Sequence, residues 1–298
     1  MKPGLFVALY GPSKAGKTVA SAAAASTGIF IGPRHGLLSA STFLGLPDLD
    51  IRPARTVAWV TDEIEKAIAK SPPAIVVDDF TLLVDATINQ YEKTKGKGAM
   101  WSALRNDVLQ NRDAARAATE EGIIVIYNCH EQPPRTSSGK YVRGGPAMPG
   151  QLPEQFSGMV DVIGRTIFSP DSTPWKYQLM YGPQPDYISG DRLCVFPPIS
   201  PINLAEGLRH AGYDIPRPEL VSWIEPAVVK LSAMILEQGV DRWRDVLVPE
   251  ADKLKAQYPV AHVRWALQDS LHRAVIRHHA EVRVLEAFSI EPESAFSL

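Results

Sequence analysis

Cysteine is almost missing: Cys129 and Cys194 are the only two among 298 residues. Both sit in apolar, strand-like runs, so no disulfide framework is needed and a cytoplasmic protein is expected. An excess of one charge is missing too, since 31 Lys and Arg face 33 Asp and Glu for a net charge of −2. This excludes a global basic field, so any nucleic acid must be met by a local patch. No apolar run approaches the roughly 18 residues of a membrane span, and no membrane role is expected. Lys2 and the short apolar run behind it do not read as an export signal, because that run leads straight into a glycine loop. Internal repeats and low-complexity tails are lacking as well. What remains is 45% hydrophobic residues, enough for a core. The length allows one large domain, or a core with a smaller companion.

The loop is the most specific stretch in the chain. Gly11-Pro12-Ser13-Lys14-Ala15-Gly16-Lys17-Thr18 reads G-x-x-x-x-G-K-T, the phosphate loop of P-loop NTPases. Leu5 to Tyr10 before it is a run of strand length, and Val19 to Ala25 after it is a run of helix formers. Strand, loop, helix is the setting the motif requires. Gly11 and Gly16 let the backbone fold tightly so that successive N–H groups face a phosphate. The helix beginning here adds its positive end. Lys17 is expected to reach the β- and γ-phosphates of ATP, and Thr18 to place a hydroxyl on Mg²⁺. Residues Gly11 to Val19 are the candidate nucleotide cradle.

Ala74-Ile75-Val76-Val77-Asp78-Asp79 is an apolar strand ending in carboxylates, as a metal-side strand does beside a phosphate loop. Asp78 is the candidate carboxylate for Mg²⁺. Asp79 is a candidate to polarise water or to hold a neighbour. Ile123 to His130 is a further buried strand. Strands are also expected at 4–10, 28–32, 159–168 and 177–181, with 57–60 readable as strand or helix start. Helices are expected over 16–26, 61–70, 80–92 and 101–121. Between them 32–56 reads as loop with one short helix, and 93–98 as a basic flexible loop. From Pro133 to Pro201 lie twelve of the chain's 25 prolines, which disfavours long helices. Residues 133–150 read as a mobile loop carrying Arg135, Lys140, Tyr141 and Arg143. The alternation predicts an α/β fold with a mainly parallel sheet covered on both faces. Helical segments near 203–211, 218–238, 241–257 and 260–288 suggest that a core over 1–200 is followed by a small helical domain over 201–298.

These stretches, in this order, resemble the RecA-like P-loop ATPases, and more narrowly the phage-encoded RecA-like proteins of single-strand annealing and recombination. The resemblance covers roughly residues 4–195. It rests on the glycine loop, the strand ending at Asp78-Asp79, and the strand ending at Asn128-Cys129-His130-Glu131. Pro149 to Pro153, Val160 to Ile163 and Ser189 to Arg192 follow in the same order. The resemblance implies that His130 and Glu131 stand where the γ-phosphate is sensed, with Glu131 a second candidate to activate water. It implies that 133–150 faces DNA, with 93–98 as its smaller companion. It implies that Arg192 is a basic finger reaching a neighbouring subunit's nucleotide. Lysines and arginines would then meet phosphates and Tyr141 would stack on a base. For His130, a plain hydrogen-bonded histidine is the competing reading; for Arg192, an ordinary surface salt bridge. One departure stands out: Arg34 occupies the place where the family carries a catalytic glutamate, and an arginine stays protonated and cannot be a base.

Three functions follow. The first is an ATPase acting on single-stranded DNA in recombination, annealing or replication, assembling as a ring or filament and meeting a single-strand-binding or replication partner. The second is a nucleotide-controlled assembly protein with weak hydrolysis and no nucleic acid. The third, a small-molecule kinase, lacks an arginine-rich lid.

Overall fold

The computed structural model describes residues 2–25, 27–33, 50–137, 139–168, 177–202 and 204–215, together with 233, 234 and 237. The first strand, β1 (Phe6–Gly11), leads through the glycine loop into α1 (Lys17–Ala24). There follow β2 (Ile29–Gly32), β3 (Asp50–Pro53), α2 (Val57–Ile68) and β4 (Ala74–Val77). A helical pair, α3 (Phe80–Thr94) and α4 (Lys97–Glu120), precedes β5 (Ile124–Gln132). The sheet runs in the order β12-β10-β9-β1-β5-β4-β2-β3, where β9 is Val162–Phe168, β10 Tyr177–Met180 and β12 Ile199–Pro201. The strands from β9 through β3 pair in parallel, while β10 and β12 are antiparallel additions at one edge. Every residue of β1, β2 and β4 is buried, as befits parallel strands covered on both faces. The expected α/β fold with its mainly parallel sheet is the observed one.

The core under one face gathers Phe6, Tyr127, Phe80 and Phe156, whose rings stack or meet edge-on at centroid distances of 4.8–6.4 Å. Phe156 comes from α5 (Leu152–Met159), whose Pro153 sits in the first turn, where a missing N–H costs nothing. Helix α4 runs beside β5, with Tyr127 Oη donating to Asn111 Oδ1 at 2.6 Å and Ile123 N to Ala118 O at 3.1 Å. The helix rises about 1.5 Å per residue N-terminal to Asn111. The α3–α4 turn therefore stands toward the same sheet edge as the ends of β1, β4 and β5.

Several expectations are corrected. The stretch 32–56 contains a strand, β3, which gave no apolar signal because it is a charged edge. Its Arg52 bonds Asp50 at 3.1 Å and Glu63 at 3.3 Å. Of the two readings of 57–60, the helix start is the observed one: the helix begins at Val57, capped by Thr56, whose hydroxyl accepts from Trp59 N. The basic stretch 93–98 is no loop: only Lys95 and Gly96 separate α3 from α4. Residues 133–150 are also built. They form a hairpin of β6 (Arg135–Ser137) and β7 (Lys140–Val142), followed by β8 (Gly145–Pro146) against the end of β5. Gly139, at φ +74, supplies the left-handed turn residue. Polar strands this short carry no hydrophobic alternation to be read.

Contacts divide the chain into one unit of 1–168 and 177–216 and another of 169–176 and 217–298. The helix expected near 203–211 forms as α6 (Leu204–His210) and belongs to the first unit. The later expected helices lie outside the described residues, except that 233, 234 and 237 are helical. Among the described residues no helix is long and apolar enough to cross a membrane.

Candidate functional site

Strand order makes the site. Strand β5 lies between β1 and β4, with Gly11 opposite His130 and Tyr127 opposite Val77. The ends of three parallel strands thus deliver the glycine loop, His130 and the Asp78-Asp79 pair to one edge, where open α/β sheets bind ligands. Lys14 at φ 63 and Gly16 at φ 85 take the left-handed conformation, and Gly16 is the N-cap of α1. That cap makes no side-chain hydrogen bond, and the first turn holds no acid, so the helix start presents its N–H groups to an anion. Gly11 is required by close approach: a Cβ there would lie 1.9 Å from Thr166 Oγ1.

A cleft of about 380 Å³ is lined by Ser13 to Val19 with Asp78, Asp79, Leu82 and His130. Gly11 and Pro12 stand behind it, and their carbonyls accept from Lys17 Nζ at 2.9 and 2.8 Å. Burial lowers the Lys17 pKa, while Asp79 and Asp78 oppose that shift. Thr18 Oγ1 donates to Asp78 Oδ2 at 2.6 Å. Burial pushes the Asp78 carboxyl up to about 6, against the Thr18 hydrogen bond. Asp79 caps α3 by accepting from Thr81 N at 2.9 Å, and its other oxygen lies 2.7 Å from His130 Nε2. Burial also raises the Asp79 pKa, with His130 pulling it down. His130 N donates in turn to Thr81 Oγ1 at 3.0 Å.

The donor chemistry fits magnesium and a polyphosphate. Among the described residues no group of three or more His, Cys, Asp or Glu could hold a metal alone. Magnesium is usually bound through one or two protein oxygens plus substrate phosphates, and the Thr18 hydroxyl beside the Asp78 carboxyl supplies that set.

Other expected site residues lie elsewhere. Glu131 does not line the cleft. It is locked in a two-pronged ion pair with Arg165, Nε to Oε2 at 2.8 Å and Nη2 to Oε1 at 3.2 Å. Arg165 in turn stacks on the Tyr187 ring, 3.3 Å from its centroid. Glu131 alternates with His130 along β5, so the two side chains leave on opposite faces. Arg192 follows β11 (Gly190–Asp191), which pairs with the start of β9. That is the end of the sheet opposite the loop, and there Arg192 donates to Gly158 O at 3.0 Å. Arg135, Lys140, Tyr141 and Arg143 are exposed on and beside the β6–β7 hairpin. The Tyr141 hydroxyl donates to Asp186, and the residue is 57% exposed. Arg34 lies outside the described residues.

Sequence reasoning missed three contributors. Gly32 lets β2 end flush against the metal-side strand, where a Cβ would fall 1.7 Å from Asp78 O. Arg165 neutralises Glu131. Asn128 lies fully buried beside Asp78 and accepts from Ser21 Oγ at 2.8 Å. Only the last had a readable signal, an amide inside an otherwise apolar strand.

A glycine loop between buried strand and helix, a loop lysine, and a hydroxyl paired with a strand-end carboxylate define a P-loop NTPase. A family model described as an AAA domain matches residues 4–193. The chain belongs to that family and is a P-loop ATPase by membership. Among solved structures it is similar to the KaiC-like protein PH0186 of the hyperthermophilic archaeon Pyrococcus horikoshii OT3. Identity is 15%, coverage 60% of this chain and 78% of that one, and the TM-score 0.38. No curated protein sequence matches it.

Proposed function

We propose that this chain binds ATP with Mg²⁺ in the cleft, hydrolyses it, and couples turnover to single-stranded DNA on the β6–β7 hairpin. The observation that carries this reading is β5 itself. It runs from His130 in the cleft through Gln132 and, two prolines later, enters the hairpin. A change at the cleft end therefore reaches the basic end along one strand.

The loop amides and Lys17 grip the phosphates. Thr18 and Asp78 are the residues that would hold the metal. Magnesium, when bound, neutralises charge on the β- and γ-phosphoryl oxygens. Asp79 and His130 form the acid–base pair that faces the cleft and would orient the attacking water. On the DNA side, Arg135, Lys140 and Arg143 meet phosphates and the Tyr141 ring meets a base. Lys93 and Lys95 at the α3–α4 turn are exposed toward the same edge. The setting proposed is phage-type recombination, annealing or replication. A homo-oligomer, ring or filament, would bring Arg192 to a neighbour's nucleotide.

One observation favours a second reading, nucleotide-controlled assembly with little turnover. Asp78 is committed to Thr18, Asp79 to both Thr81 and His130, and Glu131 to Arg165, so among the described residues these carboxylates are not free to act as a strong base. ATP turnover measured with and without a single-stranded oligonucleotide separates the two. Stimulation by DNA, abolished by Lys17→Ala, supports the first reading. DNA-indifferent turnover with ATP-dependent change in size on a sizing column supports the second.

A further inference from the structure

Asn128 is a polar side chain deep in the central strands that the proposed chemistry leaves unused. It is fully buried, as is Ser21 on α1. Its place in the register is fixed: Val77 pairs with Tyr127, so the next position along sets Asn128 beside Asp78. Ser21 Oγ donates to Asn128 Oδ1 at 2.8 Å. That bond orients the amide. The opposite orientation would turn Oδ1 lone pairs against the Asp78 carboxyl, so the hydroxyl must donate and Nδ2 must face the acid. Nδ2 makes no hydrogen bond of normal geometry among the described residues. The register nevertheless sets it beside the Asp78 carboxylate. A buried amide donor without a settled partner is costly. Its natural acceptor is the carboxylate next to it.

We propose that Asn128 is a positioning residue for Asp78: oriented by Ser21, its amide donates to the carboxylate and holds it turned toward Thr18, ready for Mg²⁺. The inference rests on the reading that the cleft takes nucleotide with magnesium. Thr18 Oγ1 donates to Asp78 from one side, and a carboxylate oxygen that takes a metal has one lone pair fewer with which to accept. The amide on the far side can close on the carboxylate without giving up another bond, since among the described residues it has no partner of normal geometry. Partners that orient metal-side ligands in this way commonly change metal affinity by about 10–100-fold when removed.

The test is equilibrium binding of a fluorescent ADP analogue to the full chain, in EDTA and across a Mg²⁺ titration, for wild type, Asn128→Ala and Ser21→Ala. The expected result for Asn128→Ala is a Mg²⁺ midpoint raised about 10-fold, with affinity in EDTA unchanged. Ser21→Ala, which frees the amide without removing it, shifts the midpoint the same way by less. It carries the test if Asn128→Ala does not fold. Thermal melting of the ligand-free variants separates a folding defect from a metal defect. An unchanged midpoint in a folded variant overturns the inference. So does an equal loss in EDTA and in magnesium. Wild-type protein that binds the nucleotide no better with Mg²⁺ than with EDTA overturns instead the reading on which the inference stands.

Discussion

At the scale of single residues, Asp78 carries two opposed demands. It must be ionised to meet a cation, yet burial raises its pKa to about 6. The folded state therefore holds a proton that the unfolded chain, with an ordinary aspartate near 3.9, releases earlier. Between those values unfolding becomes easier as pH rises, because the native state binds more protons. Asp78→Asn removes the buried charge. Its ligand-free melting temperature should exceed that of wild type at pH 7.5 and converge on it as pH falls through about 6 toward about 4. A gap that stays constant with pH would show that Asp78 titrates normally. Gly32 makes the complementary case for space. A side-chain methyl at this position would lie 1.7 Å from Asp78 O, so Gly32→Ala must push two strand ends apart. Overpacking of this kind typically costs about 1–3 kcal/mol, and denaturant titration should find that loss together with weaker magnesium-dependent nucleotide binding. The motif made the loop, Thr18 and Asp78 legible in the sequence, because their chemistry depends on adjacent residues. Gly32 and Arg165 were not legible as site residues, and Asn128 showed only as an amide in an apolar strand. Each acts through a neighbour on another strand, and only the register brings them together.

At the scale of elements, buried parallel strands and long helices could be read, because burial on both faces leaves a continuous apolar run. What could not be read was short and polar: β3, and the β6–β7 hairpin in place of an open loop. The Glu131–Arg165 pair shows the consequence for function. Sequence order makes Glu131 a candidate base, but the strand alternation sends it to the other face, where its side chain is 12% exposed. Removing one partner of a buried pair strands the other charge, at a cost of about 3 kcal/mol or more. Glu131→Leu should therefore lower stability by about that amount in a urea titration. Glu131→Leu with Arg165→Met should recover part of the loss. Turnover per folded molecule should stay within a few-fold of wild type. A fall of a hundredfold or more in a folded Glu131→Gln protein would restore Glu131 as a catalytic residue.

The whole molecule carries a net charge of −2, so it offers DNA no long-range attraction, and the binding proposed is local to the hairpin. This makes salt dependence a direct count of the contacts. For single strands, log affinity falls with log salt at a slope of about −0.7 per phosphate neutralised. Arg135, Lys140 and Arg143 acting together predict a slope of about −2. A protein wrapped in positive potential would give a steeper one. Lys140→Ala should reduce the slope by about 0.7 and weaken binding alike for every sequence, because a lysine–phosphate contact reads no bases. Tyr141→Ala should weaken binding without changing the slope, since stacking releases no counterions. Measuring both variants by fluorescence anisotropy over about 50–200 mM salt, with ATP and Mg²⁺ present, tests the surface independently of turnover. A slope unmoved by Lys140→Ala, with wild-type affinity retained, would place any DNA contact off the hairpin and break its proposed link through β5 to His130.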